Sequence, residues 1–173
     1  FCLKEWTMPA NFGSDNGAGA HPNIVEALME ASSGSVPAYG NDELSLGVEH
    51  RLNELFERDV TVLLMATGTA ANCVGLATLC SPFGGIYAHS EAHIVNDEST
   101  APEFFTNGAR QFTVGGSSAK PDLDELLKTI EISGARGVHS VQPSVIALSN
   151  LTELGARFSV DEVRPYGDLA KSK

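Results

Sequence analysis

The densest concentration of functional groups in the chain is the segment His89-Ser-Glu-Ala-His93-Ile-Val-Asn-Asp-Glu98. Two histidines four residues apart share one face if the backbone is helical, and that spacing first suggests a metal site. A zinc-protease helix, however, places its glutamate directly after the first histidine, whereas Glu91 sits two positions on and would face away. Glycines and an apolar run precede His89, so the segment reads as the exit of a strand, and no metal is expected. For His93 two readings stay open. A neutral imidazole stacks on a ring and titrates near physiological pH, so it could be a platform or proton carrier above a bound ligand; a surface-loop histidine is the reading these residues alone favour. His21, His50 and His139 have no comparable company and read as structural or solvated.

The second candidate is Met65-Ala-Thr-Gly-Thr-Ala-Ala-Asn-Cys-Val-Gly75, where the apolar run Val60–Met65 stops at small residues. Such a pattern predicts a buried strand, a tight turn and a helix start. Free amides and the positive end of the helix dipole make that turn an anion site, with Gly68 admitting a phosphate to the backbone and the Thr69 hydroxyl as a further donor. Tight packing alone is the other reading of the same residues. Cys73 lies in an apolar stretch without an identifiable base and reads as a small buried hydrophobe. The chain has no G-x-S-x-G elbow, no Walker lysine and no G-x-G-x-x-G after a strand, which removes the defining residues of serine hydrolases, NTPases and dinucleotide enzymes.

These residues need elements to hold them. Helices are expected from Pro22 to Gly34, from Asp42 through "FERD", from Asn72 to Cys80, from Leu123 to Ile132 behind an Asp122 cap, and from Ser159, where Glu162 three residues on completes a capping box. Strands are expected at Val60–Met65, Gly85–His89, Arg110–Val114 and Ser144–Ser149, with a short helix or loop in Ser99–Ala109. Alternation of this kind predicts a three-layer α/β fold, a mostly parallel sheet with helices on both faces. Ligands then sit beyond the carboxyl ends of the strands, where the Thr-Gly-Thr turn and the loops after "GIYAH" and "SVIALS" should converge.

The 173 residues carry 11 basic and 22 acidic side chains, a net charge of -11, which argues against a nucleic-acid binder. With 42% hydrophobic and 19% charged residues the composition is that of a globular domain. Cys2, Cys73 and Cys80 form neither a disulfide framework nor a zinc ribbon, and no run approaches membrane-spanning length, so reduced cytoplasm is the expectation. Residues 1–10 read as a leader or arm, with Met8 a candidate start, and 11–173 as a single domain.

Taken in order, "NFGSDNGAGAHPNIVEAL", "AYGND", "ATGTAAN", "HSEAHIVNDESTAPEFFTNGA" and "SNLTELG" resemble the low-specificity threonine aldolase and aromatic β-eliminating lyase family, phenylserine-aldolase-like members above all, from about Asn11 to the C-terminus. The resemblance implies the large domain of a fold type I pyridoxal-phosphate enzyme that cleaves β-hydroxy-α-amino acids such as threonine or phenylserine to glycine and an aldehyde, in a homo-oligomer. It implies that Gly68 and Thr69 hold the cofactor phosphate, that His93 stacks on the pyridine ring and handles the substrate's hydroxyl proton, and that Ser14 lies by the substrate carboxylate. Asp15, Tyr39, Glu98, Asn150 and Glu153 match motif positions, each with a bland alternative in turns, packing or capping. Two departures stand out: the family's ring-nitrogen aspartate and Schiff-base lysine match nothing here, since Lys4, Lys120, Lys128, Lys171 and Lys173 fall elsewhere, and "ELGARF" replaces a Gly-Thr-Val-Tyr-like continuation. The sequence thus reads as the C-terminally truncated first half of such a domain, inactive by itself and prone to associate through an open sheet edge. The alternative is a non-catalytic module binding a phosphate ligand or a protein.

Overall fold

A computed structural model describes residues 17–172. The chain divides into two compact units, Phe1–Val62 and Leu63–Lys173.

In the described part of the first unit, helix α1 (Pro22–Ala31) begins with proline in its first turn, where the missing N–H costs nothing, and His21 caps it by accepting the Asn23 amide at 3.2 Å. Helix α2 (Glu43–Phe56) is capped by Asp42, whose carboxylate accepts the Ser45 amide at 2.9 Å and its hydroxyl at 2.7 Å. Those two bonds hold the Asp42 carboxyl below its ordinary range. The helix stops at Glu57 in the left-handed region. Neither helix buries a residue.

The strand expected at Val60–Met65 is not formed. A strand exists through its ladder, and the ladders among the described residues all join other segments. The Val60 amide instead donates to the Asn53 side chain at 2.7 Å, and Leu63 and Leu64 are exposed.

The second unit holds a sheet of three parallel strands, β1 (Gly84–His89), β2 (Arg110–Val114) and β3 (Gln142–Ile146), in the order β2-β1-β3. Central β1 is buried along its whole length, as expected for a strand covered on both faces. Edge strand β3 tolerates Pro143 and carries a register irregularity opposite Gly85 and Ile86. It begins and ends earlier than the "SVIALS" run suggested, so Ala147–Ser149 is loop.

Period-two alternation sends β1 side chains to two different cores. On one face Ile86 and Ala88 pack with Leu76 and Cys80 from helix α3 (Gly68–Leu79) and its cap, and with Ala92, Ile94 and Ala109. The short helices α4 (His93–Asn96) and α5 (Ala101–Phe105) belong to this side, α5 lying against α3. On the other face Tyr87 and Val114 meet Leu126 and Ile130 of α6 (Leu123–Gly134) and Phe158 and Tyr166, the latter on α7 (Val160–Ser172). The result is the three-layer α/β arrangement expected from the sequence. The predicted capping box also forms: the Glu162 carboxylate accepts the Ser159 amide at 2.7 Å and the Ser159 hydroxyl accepts the Glu162 amide at 3.2 Å.

At the carboxyl edge of the sheet, two side-chain bonds tie the loops together. His89, at the end of β1, meets the Gly116 carbonyl at 3.2 Å, and Thr152 donates its hydroxyl to the Ser118 carbonyl at 2.8 Å. Gly116 has φ 155° and passes so close to Lys120 that a β-carbon there would lie 1.9 Å from its carbonyl oxygen, so only glycine fits. This loop clamp fixes where the residues after β3 run.

Candidate functional site

The order β2-β1-β3 makes the chain leave β1 toward one neighbour and return on the other side. The loops after β1 and β3 therefore part, and the crevice between them is where open α/β sheets receive ligands. Here it is a cleft of about 310 Å³ lined by the first half of α3 (Ala71, Asn72, Gly75), by Ala92 and His93 after β1, and by Ala147–Ser149 after β3.

His93 opens α4, its ring half exposed to the cleft. Its Nδ1 lies 3.1 Å from Oε1 of Glu98, and the same oxygen accepts the Asn72 side-chain amide at 2.7 Å. The Glu98 side chain is fully buried, and its Oε2 has no partner among the described residues. Glu153 accepts the His93 backbone amide at 2.8 Å and the Ser149 hydroxyl at 2.9 Å. Burial raises the Glu153 carboxyl, but the amides of His93 and Glu153 and the Ser149 hydroxyl outweigh it and hold the group below the ordinary carboxylate range. His93, Glu98 and Glu153 of the residues named from the sequence thus share one site.

One turn back along α3, Thr67 caps the helix by accepting the Ala70 amide at 3.1 Å. The helix starts at Gly68, four residues earlier than expected, so Gly68 and Thr69 occupy its first turn. Among the described residues neither of their amides has a partner, and a β-carbon at Gly68 would meet nothing within 4 Å. Free amides, open space and the helix dipole together suit an anion such as a phosphate.

Other sequence candidates lie elsewhere. Ser14 and Asp15 fall outside the described residues. Tyr39 is in the first unit, fully exposed, at φ 64° before Gly40 at 76°. Asn150 accepts the Phe158 amide at 3.2 Å and lines a separate groove along α7. His89, the other histidine of the metal reading, is buried with both ring nitrogens engaged, Nδ1 by the Glu91 amide at 3.0 Å and Nε2 by Gly116. Burial, then the negative charges of Glu98 and Glu103, push the Cys73 thiol upward, the opposite of what a nucleophile needs. Sequence reasoning missed Asn72 and Ser149; the signal for Asn72 was there, a polar amide in a helix otherwise made of small and apolar residues.

The fold is an α/β arrangement with a parallel sheet and a cleft at its strand-order switch. Structural comparison agrees: the chain matches a solved structure of threonine aldolase from Leishmania major with a TM-score of 0.82 at 23% identity, over 90% of this chain and 45% of that one. The sequence goes further, since residues 11–173 match the beta-eliminating lyase family and the chain belongs to it. It is 35% identical over 164 residues to the low specificity L-threonine aldolase of Pseudomonas aeruginosa and 33% identical to that of a Pseudomonas species. The chain spans about half the length of these relatives, 46% in each case. Among the described residues no helix is long and apolar enough to cross a membrane.

Proposed function

We propose that this chain contributes the first half of the large domain of a pyridoxal-phosphate-dependent aldolase that cleaves β-hydroxy-α-amino acids, threonine or phenylserine among them, to glycine and an aldehyde. The observation that carries the reading is the conjunction of two first-turn amides on α3, without a partner among the described residues, with a half-exposed imidazole on the cleft that the same helix lines. Gly68 and Thr69 would hold the phosphate, His93 would stack on the ring, and Ser14 would serve the substrate carboxylate. When bound, the cofactor supplies an electron sink for the pair left on Cα.

His93 acts on the substrate's β-hydroxyl. Its Nε2 takes the hydroxyl proton, the pair left on oxygen becomes the carbonyl bond of the departing aldehyde as the Cα–Cβ bond opens, and the pair of the broken Cα–Cβ bond stays on Cα. No lysine of this sequence matches the Schiff-base position, so the reading requires that group, and the acid at the ring nitrogen, from outside these 173 residues. A homo-oligomer in the cytoplasm is the proposed setting.

The experiment is a chimera in which residues 11–173 replace the matching segment of the Pseudomonas aeruginosa enzyme. It should bind pyridoxal phosphate and release glycine from threonine or phenylserine. A folded chimera that binds no cofactor overturns the assignment. The 173-residue chain itself should be protected from unfolding by pyridoxamine phosphate more than by pyridoxamine. Phosphate-dependent protection combined with a chimera that binds cofactor but never turns over would favour a non-catalytic phosphate-binding module.

A further inference from the structure

Glu98 is an expensive residue to keep. A carboxyl buried without a full set of partners opposes folding, and natural structures retain such groups where they serve a site. Glu98 has one oxygen shared by Asn72 and His93 and the other unpaired among the described residues. Asn72 projects from α3 and Glu98 precedes α5, so two elements packed against each other hold the acceptor at the Nδ1 edge of the ring.

We propose that Glu98, oriented by Asn72, is a positioning residue that locks His93 in the tautomer carrying its proton on Nδ1. The argument is one of donors and acceptors. Oε1 accepts from the Asn72 amide at 2.7 Å, and a carboxylate oxygen, having no hydrogen of its own to give, requires the facing Nδ1 to donate. A neutral ring has one N–H, so Nε2 is left with a lone pair; it has no partner among the described residues. An unconstrained histidine side chain prefers the opposite tautomer, with its hydrogen on Nε2, so without the clamp the ring would more often present a hydrogen where a base is needed. The Glu153 bond to the His93 amide fixes the backbone under the same ring. This is the division of labour of a hydrolase triad, a carboxylate setting the tautomer of a histidine, on an unrelated site. The inference rests on the aldolase reading for what the free nitrogen does, but not for the tautomer itself.

The test uses the 173-residue chain without cofactor, with ¹⁵N-labelled histidine, at a pH where the ring is neutral. The His93 resonances should show a protonated Nδ1 and an unprotonated Nε2, with that form favoured by about tenfold or more, as expected for one charge-assisted hydrogen bond. Glu98→Ala should reverse the ratio and Asn72→Ala, which leaves a good helix former in α3, should reduce it. An unprotonated Nδ1 in the unsubstituted chain overturns the proposal, and so does an unchanged ratio in either folded variant. In the chimera, Glu98→Ala should lower kcat with KM and pyridoxamine-phosphate affinity unchanged. The outcomes separate the two readings: the expected tautomer without phosphate-dependent protection removes the aldolase assignment alone, and protection without the tautomer removes the clamp alone.

Discussion

On the α6/α7 face of the sheet, Tyr87 and Tyr166 bury their rings and each hydroxyl finds a partner, Ser133 for one and the Pro121 carbonyl for the other. Tyr87 also stacks on Phe112, its register neighbour on β2, and Phe158 meets Tyr166 edge-on. On the α3/α5 face, Glu98, Glu103 and Gln111 are drawn under with one oxygen each unpaired among the described residues. The same three strands support both layers. Among the described residues one face is satisfied, while the other retains unpaired polar oxygens at a cost, and of these Glu98 is the one that meets His93.

That contrast can be broken at its strongest point first. Leu126, fully buried on the satisfied face, should lose about 3 kcal/mol on substitution by alanine, read as a lowered urea midpoint with the slope unchanged. The His93 tautomer should not respond. His93→Ala in the chimera is the mirror experiment: its half-exposed ring contributes little to folding, so the urea midpoint should hold while cleavage falls about 100-fold, roughly 2.7 kcal/mol of barrier. An unchanged rate would leave His93 a surface histidine. Tyr166→Phe, which deletes only the hydroxyl on Pro121, should cost about 1 kcal/mol.

The gentlest probe is pH. Glu162, exposed at the start of α7, is held down to about 2 by Lys120 and by the Ser159 amide and hydroxyl. Its folded pKa lies below the ordinary value of 4.5, so its contribution is present above about 4.5 and is lost as pH falls toward 2. Thermal unfolding of Glu162→Gln should therefore show a shallower decline of Tm across that window than the unsubstituted chain, with the two curves converging at its acid end.

The helices and the sheet were legible because their signals are local. Asp42, Asp122 and the Ser159–Glu162 box each mark a helix start with a side chain bonding its own first turn, and Pro22 marks one by lacking an N–H where none is needed. Val60–Met65 misled because β-branched and aliphatic residues say that a segment fits a strand, and say nothing of whether a ladder partner lies beside it. At the site, His93 and the Thr-Gly-Thr turn were visible as residue types in a pattern. The Asn72–Glu98 pair was not, because it joins residues 26 apart through a packing contact between α3 and the segment before α5, and no periodicity encodes that.

The bond from the His93 amide to Glu153 spans 60 residues of chain. Closing so long a loop has an entropic cost that local contacts do not repay, and it is recovered only once β1 and β3 are in register and Thr152 has docked on Ser118. In kinetic terms the His93–Glu153 bond should be among the last in the unit to form and among the first to open. Amide exchange at His93 should therefore be faster than at Tyr87, a few residues upstream in the same unit, and the site would loosen while the sheet beneath it stays intact.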